Sequence, residues 1–308
     1  MILVTEFMDE AAVAQMREKH ETRYDPGLAD RQPEIAGMMK GVRALVVRNR
    51  TQVNTALLDV SPDLECVGRL GVGLDNIDVE ACRKRNIAVY PANGANNLSV
   101  GEYVITAAMV LLRQAWFANP AMLAGQWPRQ ACAGRELAGK TLGLVGFGAI
   151  ARDMAKLASG LGMTIVAHDP FVKAGDPSLG TVTLVGFETL LSTCDVVSLH
   201  VPLSEGTRHL IDGKALRRMK RDAILINAAR GGVVDEAALV DALKEGHLGG
   251  AALDVFENEP LSADEGQKFA NVPNLILTPH VAGVTVESNV RVSAVTAQTV
   301  LAHLAGKA

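Results

Sequence analysis

Residues 141–152 read TLGLVGFGAIAR. An apolar run turns at a glycine and enters a stretch of helix formers. Gly146, Gly148 and Ala151 make a G-x-G-x-x-A pattern. The first glycine permits a tight turn, the second lets backbone approach a pyrophosphate, and the third small residue keeps helix and strand close. The helix start at Gly148 and Ala149 offers free N–H groups and partial positive charge to phosphates. A second strand, TIVAHD, ends at Asp169, near the offset of about twenty residues that a dinucleotide fingerprint requires. A carboxylate there accepts hydrogen bonds from ribose hydroxyls and repels a 2′-phosphate, so NAD is expected rather than NADP. A glycine turn without a ligand is the plainer reading, but it leaves the strand, the helix and the acid as coincidences. No lysine follows the glycines, which excludes a P-loop.

Outward from this unit, strands and helices alternate. Downstream come a helix near FETLLSTC, the strand VVSLHV, a helix in GKALRRMK, AILINAA, a helix in DEAALVDALKEG, GGAALDVF and NLILTPH. Upstream, ILVTEF, ETRY, ALVVR, LECVGRL and IAVYPA read as strands. Helices are expected in DEAAVAQMREKH, PEIAGMMKG and VEACRKRN, and a longer one from Ser99 to Phe117. The segment 119–140 has no clear period and is read as an arm over a surface, such as that of a partner subunit. A last helix spans Glu287 to Leu304. Alternating β and α elements imply parallel sheets covered by helices, here two doubly wound α/β domains in one chain.

Composition narrows the function classes. The chain has 308 residues and a net charge of −4, with 48% apolar and only 4% aromatic residues. That balance disfavours disorder, a phosphate-backbone binder and a base-stacking surface. The one basic cluster, Lys214, Arg217, Arg218, Lys220 and Arg221, is read as a solvated helix face. The four cysteines, Cys66, Cys82, Cys132 and Cys194, fit no metal or disulfide spacing and are read as small buried hydrophobes. No His/Cys/Asp pattern suits a metal. The start MILVTEF reads as a strand and not a secretory signal, and no apolar run is long enough to span a bilayer, so a cytoplasmic protein is expected.

Ligands of open α/β sheets bind beyond the carboxyl ends of the strands. Three ionisable residues fall there on consecutive strands: Arg230 after AILINAA, Glu259 after GGAALDVF, and His280 after NLILT. Singly, each has a bland reading as a surface residue. Together, behind a dinucleotide fingerprint, they suit the interconversion of a 2-hydroxy and a 2-oxo acid. Arg230 can hold the carboxylate with its planar fork and polarise the ketone. His280 can protonate the alkoxide left by hydride arrival. Glu259 can fix the imidazole tautomer and keep a proton available near neutrality. Gly231 and Gly232 let the chain turn close to the cofactor. Asp254 could face the nicotinamide carboxamide. His20, His168, His200, His209, His247 and His303 are left as structural.

The stretches GRLGVGLDNID, NNLSVGEYVI, LAGKTLGLVGFGAIA, HVPLSEGTRHLID, ILINAARGGVVDEAAL, GGAALDVFENEP and LTPHVAG resemble the D-isomer-specific 2-hydroxyacid dehydrogenases in content and order. The resemblance covers residues 43–283. It implies a Rossmann NAD-binding domain, residues 98–283, and a flavodoxin-like substrate domain, residues 1–97 and 284–308, completed by the last helix. It also implies an Arg–Glu–His triad at Arg230, Glu259 and His280. Cofactor contacts are implied at Ile150, Asp169, Pro202, Thr207, Ala228, Asp254 and Gly283, with a homodimer through the cofactor domains. The family's third fingerprint glycine is Ala151 here, for which a small packing change is expected. Members that oxidise formate carry Gln in place of the Glu, so Glu259 argues against that chemistry.

For the substrate, Arg48 and Arg69 lie at or just past strand ends, followed by Gly71, Val72 and Gly73. Arginines at matching positions hold the distal phosphate in the phosphoglycerate dehydrogenase branch. Surface ion pairs are the plain alternative. EFMDEAAVA, VRNRT, GRLGVGLDNIDVEAC, WPRQA, HDPF and HVAGVTVESNVRVS resemble the (S)-sulfolactate dehydrogenase branch more, and a sulfonate suits the same cations. The sulfur substituent outranks the carboxylate in naming, so (S)-sulfolactate has the spatial arrangement of a D-hydroxy acid. The expectation is a dehydrogenase of a small 2-hydroxy acid with a second anion. The alternatives are a hydroxypyruvate or glyoxylate reductase and, from another class, a non-enzymatic NAD sensor.

Overall fold

The computed structural model describes residues 1–306. The chain divides into two compact units, Met1–Asn96 with Val284–Ala308, and Asn97–Gly283. Each is a doubly wound parallel α/β sheet, as the alternation of elements predicts.

The first unit has strands β1 (Ile2–Val4), β2 (Thr22–Tyr24), β3 (Ala44–Val47), β4 (Cys66–Arg69) and β5 (Ala88–Pro91). All pair in parallel, in the order β2-β1-β3-β4-β5. This is the flavodoxin-like order. β1 and β3 read ILV and ALVV because both faces are covered, so no polar alternation is needed. The helix Val286–Leu304 covers one face through Val292, Ala297 and Val300. It lies so close to β4 that a Cβ on Gly68 would come within 2.7 Å of Val300. Leu28, Ile35, Leu57 and Ile77 fill the other face.

The second unit has β6 (Thr141–Val145), β7 (Thr164–His168), β8 (Thr183–Leu184), β9 (Val196–Leu199), β10 (Ile224–Asn227), β11 (Gly250–Leu253) and β12 (Leu275–Leu277). Their order is β12-β11-β10-β9-β6-β7-β8, all parallel. This is a Rossmann sheet with a seventh strand. The order reverses between β6 and β9, and there the glycine turn opens.

Some elements differ from expectation. The helix begun at Asn97 stops at Arg113, and Gln114 takes a positive φ of 55° before a single 3₁₀ turn, so it does not run on to Phe117. The arm holds one short helix, Asn119–Leu123, and exposes Leu123 and Trp127; Trp116, in the turn before it, is exposed as well. The helices Thr55–Asp59 and Ala263–Gly266 and strand β8 escaped the sequence reading, being too short to show a period. All five residues of the basic cluster are exposed, but the helix ends at Arg218; Lys220 pairs with Asp195 beyond it. Cys66, Cys82 and Cys194 are buried free thiols, and burial pushes Cys66 up to about 12. Cys132 is only half-buried, because it sits in the arm and not in a core. No helix among the described residues is long and apolar enough to cross a membrane.

Candidate active site

In a parallel sheet every strand delivers its following residue to the same edge. At that edge of the second unit lie Gly146 after β6, Asp169 after β7, Ala228 and Arg230 after β10, Asp254 after β11, and His280 after β12.

Gly146 has φ +89°, and a Cβ there would sit 2.8 Å from the carbonyl oxygen of His200, just past the neighbouring strand β9. Only glycine fits both constraints. Gly148 caps the helix Ala149–Gly160 without a side-chain bond, and open space surrounds its α-carbon. Gly148 and Ala149 are exposed and Ile150 is half-buried. Ala151 is fully buried in the core beneath. The Asp169 carboxylate accepts from Phe147 N–H and Phe171 N–H, each at 2.8 Å, which ties the glycine turn to the end of β7. It keeps lone pairs for two ribose hydroxyls. An uncapped helix start behind a glycine turn, with an acid at the next strand end, fits NAD. In the loop after β9, Thr207 donates its hydroxyl to the carbonyl of exposed Pro202 at 2.6 Å. Gly283 is the last residue of this unit. Burial pushes the His200 imidazole down to about 4, so it is neutral beside the turn.

The turn carrying Arg230 is shaped by Asn227, a residue the sequence reading passed over. Its buried amide donates to the Arg230 carbonyl at 2.9 Å and accepts from Ala229 N–H at 3.1 Å. A polar residue ending the apolar run AILIN was the available signal. The arginine Nη1 donates to the Ala229 carbonyl at 2.6 Å. Gly231 has a different reason than expected: a Cβ there would fall 1.6 Å from the Phe256 carbonyl oxygen. Protein backbone takes the space that a side chain would need.

His280 stands at φ +55°, a strained choice for a residue with a side chain. Buried Asp254 holds that turn. Its Oδ1 accepts from the Thr278 hydroxyl at 2.6 Å and Val281 N–H at 2.8 Å, and its Oδ2 accepts from Ala282 N–H at 2.8 Å. Since Thr278 gives its proton to Asp254, Tyr103 donates to Thr278, at 2.6 Å. Neither Tyr103 nor Thr278 carried a sequence signal.

His280 Nδ1 lies 2.7 Å from Glu259 Oε2, and Glu259 Oε1 accepts from Phe256 N–H at 3.0 Å. Burial pushes the Glu259 carboxyl up. The hydrogen bonds from His280 and Phe256, with the charges of His280 and Arg230, more than offset that, so it lies below the ordinary carboxylate range. An ionised carboxylate can only accept, so Nδ1 carries the proton and Nε2 is left for chemistry. His280 is 45% exposed at its side chain, within reach of a ligand. The structure thus brings Arg230, Asp254, Glu259 and His280 together on three adjacent strand ends.

Arg48, Arg69, Gly71, Val72 and Gly73 belong to the first unit, past β3 and at the end of β4. Buried Glu6, after β1, accepts from the backbone N–H groups of Arg48, Asn49, Arg50 and Thr51. This fixes the loop that carries Arg48. The Arg48 guanidinium donates to Asn289 at 2.9 Å, and burial pulls it below its ordinary value. Gly71, at φ +144°, leaves the room that the Arg69 guanidinium fills; a Cβ would lie 1.5 Å from its Nη1. Among the described residues no three His, Cys, Asp or Glu side chains gather as a metal site.

Residues 105–282 match the model of the D-isomer specific 2-hydroxyacid dehydrogenase, NAD binding domain. The chain is 57% identical over 300 residues to an (S)-sulfolactate dehydrogenase of Chromohalobacter salexigens, covering 97% of this chain and 96% of that protein. It is 37% identical over 301 residues to a D-3-phosphoglycerate dehydrogenase of Archaeoglobus fulgidus, covering 97% of this chain but only 56% of that one. A solved D-lactate dehydrogenase of Aquifex aeolicus, complexed with NAD and lactic acid, superimposes with a TM-score of 0.84 at 27% identity, covering 100% of this chain and 96% of that one. The cofactor is NAD and the reaction is 2-hydroxyacid oxidoreduction. The chain belongs to the D-isomer specific 2-hydroxyacid dehydrogenases.

Proposed function

We propose that this enzyme interconverts a small D-configured 2-hydroxy acid bearing a second anion with its 2-oxo acid, and that (S)-3-sulfolactate is the first candidate. The observation that carries the chemistry is the Glu259–His280 pair at 2.7 Å, past the ends of β11 and β12, with β11 beside the strand that presents Arg230. The choice of acid is supported by the likeness to the Chromohalobacter protein and by Arg48 and Arg69 on neighbouring strand ends.

NAD, when bound, gives or takes the hydride at the substrate's C2. Gly146, Gly148, Ala149 and Ile150 would receive its pyrophosphate, and Asp169 its adenosine ribose. Pro202, Thr207, Ala228, Asp254 and Gly283 would line the rest of its length. Arg230 binds the substrate carboxylate through two parallel N–H donors and draws electron density from the ketone. His280 Nε2 hands its proton to the oxygen as negative charge develops there, and takes it back in oxidation. Glu259 holds the Nδ1 proton and stabilises the imidazolium. Arg48 and Arg69 are the cations assigned to a second anion on the substrate, with the backbone of Gly71, Val72 and Gly73 following Arg69.

Two further readings accompany this. Exposed Leu123 and Trp127 on the arm, with Trp116 just before it, support a homodimer that covers them. Free cysteines support a reducing, cytoplasmic setting.

The test is a panel read by NADH absorbance: (S)-3-sulfolactate, 3-phosphoglycerate, D-glycerate and D-lactate with NAD or NADP, and the matching 2-oxo acids and glyoxylate in reverse. Highest kcat/KM for sulfolactate with NAD supports the reading. Better turnover of hydroxypyruvate or glyoxylate would make the enzyme a reductase of small 2-oxo acids and return Arg48 and Arg69 to structural roles.

A further inference from the structure

The helix Glu236–Lys244 begins with a residue that is hard to explain by stability alone. Glu236 is 2% exposed, and its helix already has an N-cap, since the Asp235 side chain accepts from Ala238 N–H. Burying a carboxylate is costly unless it is fully engaged. Here it is engaged outside its own helix. Glu236 Oε1 accepts the backbone N–H of Glu257 at 2.7 Å, and Glu257 Oε1 reaches back toward Glu236 N–H at 3.4 Å. Lys268 pairs with the other oxygen of Glu236, and His209 Nε2 lies 3.1 Å from Glu257 Oε1. The same His209 donates its backbone N–H to the Gly232 carbonyl at 2.7 Å.

The peptide gripped this way is the one between Phe256 and Glu257. Its carbonyl is the atom against which Gly231 packs, directly after Arg230. The N–H of Phe256 is the donor that holds Glu259 Oε1. One short piece of backbone therefore touches both the arginine turn and the acid that orients His280. Residues 257–260 are otherwise exposed and carry little apolar packing of their own.

We propose that Glu236 and Glu257 are positioning residues for the reaction: their reciprocal carboxylate-to-backbone clamp fixes the Phe256–Glu257 peptide and so aims Glu259 on one side and the Arg230 turn on the other. This rests on reading Arg230, Glu259 and His280 as the reacting group. Lys268 supplies a positive charge beside Glu236, and His209 Nε2 lies within hydrogen-bond reach of Glu257.

The test compares Glu236→Ala and Glu257→Ala with Glu236→Gln and Glu257→Gln in the full chain. The glutamines keep an acceptor oxygen without the charge. Reduction of 3-sulfopyruvate and of glyoxylate by NADH gives kcat, KM and the pH profile. NADH fluorescence gives cofactor affinity. Proton NMR of the NAD-bound enzyme reports the low-field Nδ1 proton shared by His280 and Glu259, identified by its absence in His280→Ala, and needs no turnover.

The alanine variants are expected to lose kcat on the order of tenfold or more, with NADH affinity within about twofold. The alkaline limb of reduction should move to lower pH, as Glu259 stabilises the imidazolium less well, and the low-field proton should broaden or vanish. The glutamine variants should keep most of the activity and the resonance. If Glu236→Ala does not fold, Glu257→Ala at its exposed position decides the matter. Folded alanine variants with the wild-type kcat, pH limb and resonance overturn the proposal. Arg230→Ala and His280→Ala run in parallel: if they too turn over normally, the reading beneath it fails; if they are dead and the glutamate variants are normal, only the clamp fails.

Discussion

Glu259 Oε2 and His280 Nδ1 lie 2.7 Å apart although 21 residues separate them in sequence. The contact exists because β11 and β12 are parallel neighbours and deliver both residues to one edge. A carboxylate on Nδ1 leaves Nε2 open to a ligand, and Arg230 stands just past the end of β10, the strand beside β11.

Arg230→Lys should weaken capture of the 2-oxo acid. An ammonium cannot make two parallel bonds to a carboxylate. The expected loss in kcat/KM is ~2–4 kcal/mol, roughly 30- to 1000-fold. Steady-state kinetics check it, and unchanged kcat/KM would remove Arg230 from the substrate.

Asp169→Ala should relax cofactor choice. Removing the carboxylate removes its repulsion of a 2′-phosphate, and the NADP-to-NAD ratio of kcat/KM should rise by about tenfold or more, ~1.4 kcal/mol. The caps on Phe147 and Phe171 N–H are also lost, so some loss with NAD is expected. An unaltered ratio would contradict the ribose assignment.

Arg69→Ala should hurt substrates selectively. Its guanidinium fills the space that Gly71 leaves open, so the cation is placed by design of the loop and not by chance at the surface. The kcat/KM for sulfolactate should fall at least about tenfold more than that for D-lactate. Equal effects on both acids would rule it out as the holder of the second anion.

Glu6→Gln should cost stability. Burial pushes the Glu6 carboxyl up, but the N–H groups of Arg48, Arg50 and Thr51 and the Thr51 side chain outweigh that and set it below the ordinary 4.5. A depressed folded pKa means that the stabilisation is complete above 4.5 and is lost as pH falls through the lower folded value. At neutral pH the substitution should cost about 3 kcal/mol, because an amide turns a donor toward N–H groups. Urea unfolding at neutral and acidic pH measures this. Equal wild-type and variant stability at neutral pH would show that the loop holds itself.

Much of this was legible in the chain. TLGLVGFGAIAR and TIVAHD announce a strand, a turn, a helix and an acid, because each step needs a residue type that leaves a mark. Arg230, Glu259 and His280 could be found because the end of a buried strand is visible as the end of an apolar run. What was not legible depends on partners distant in sequence. Tyr103 reaches Thr278 across 175 residues, and no local pattern marks either. Gly231 looked like a residue yielding to cofactor, but its neighbour is the Phe256 carbonyl, known only once β10 and β11 are placed side by side. Nothing in the sequence marks Glu236, because an acid in a first helical turn is expected anyway.

The most direct measurement is of His280→Ala, with NADH binding followed by fluorescence and turnover followed by absorbance in the same preparation. The account predicts NADH affinity within about twofold of wild type and a kcat lower by roughly 10²–10⁴-fold, the contribution of a positioned acid–base group. Retained turnover, or NADH binding lost along with it, would contradict the account, because His280 would then be a support of the fold and not the proton carrier.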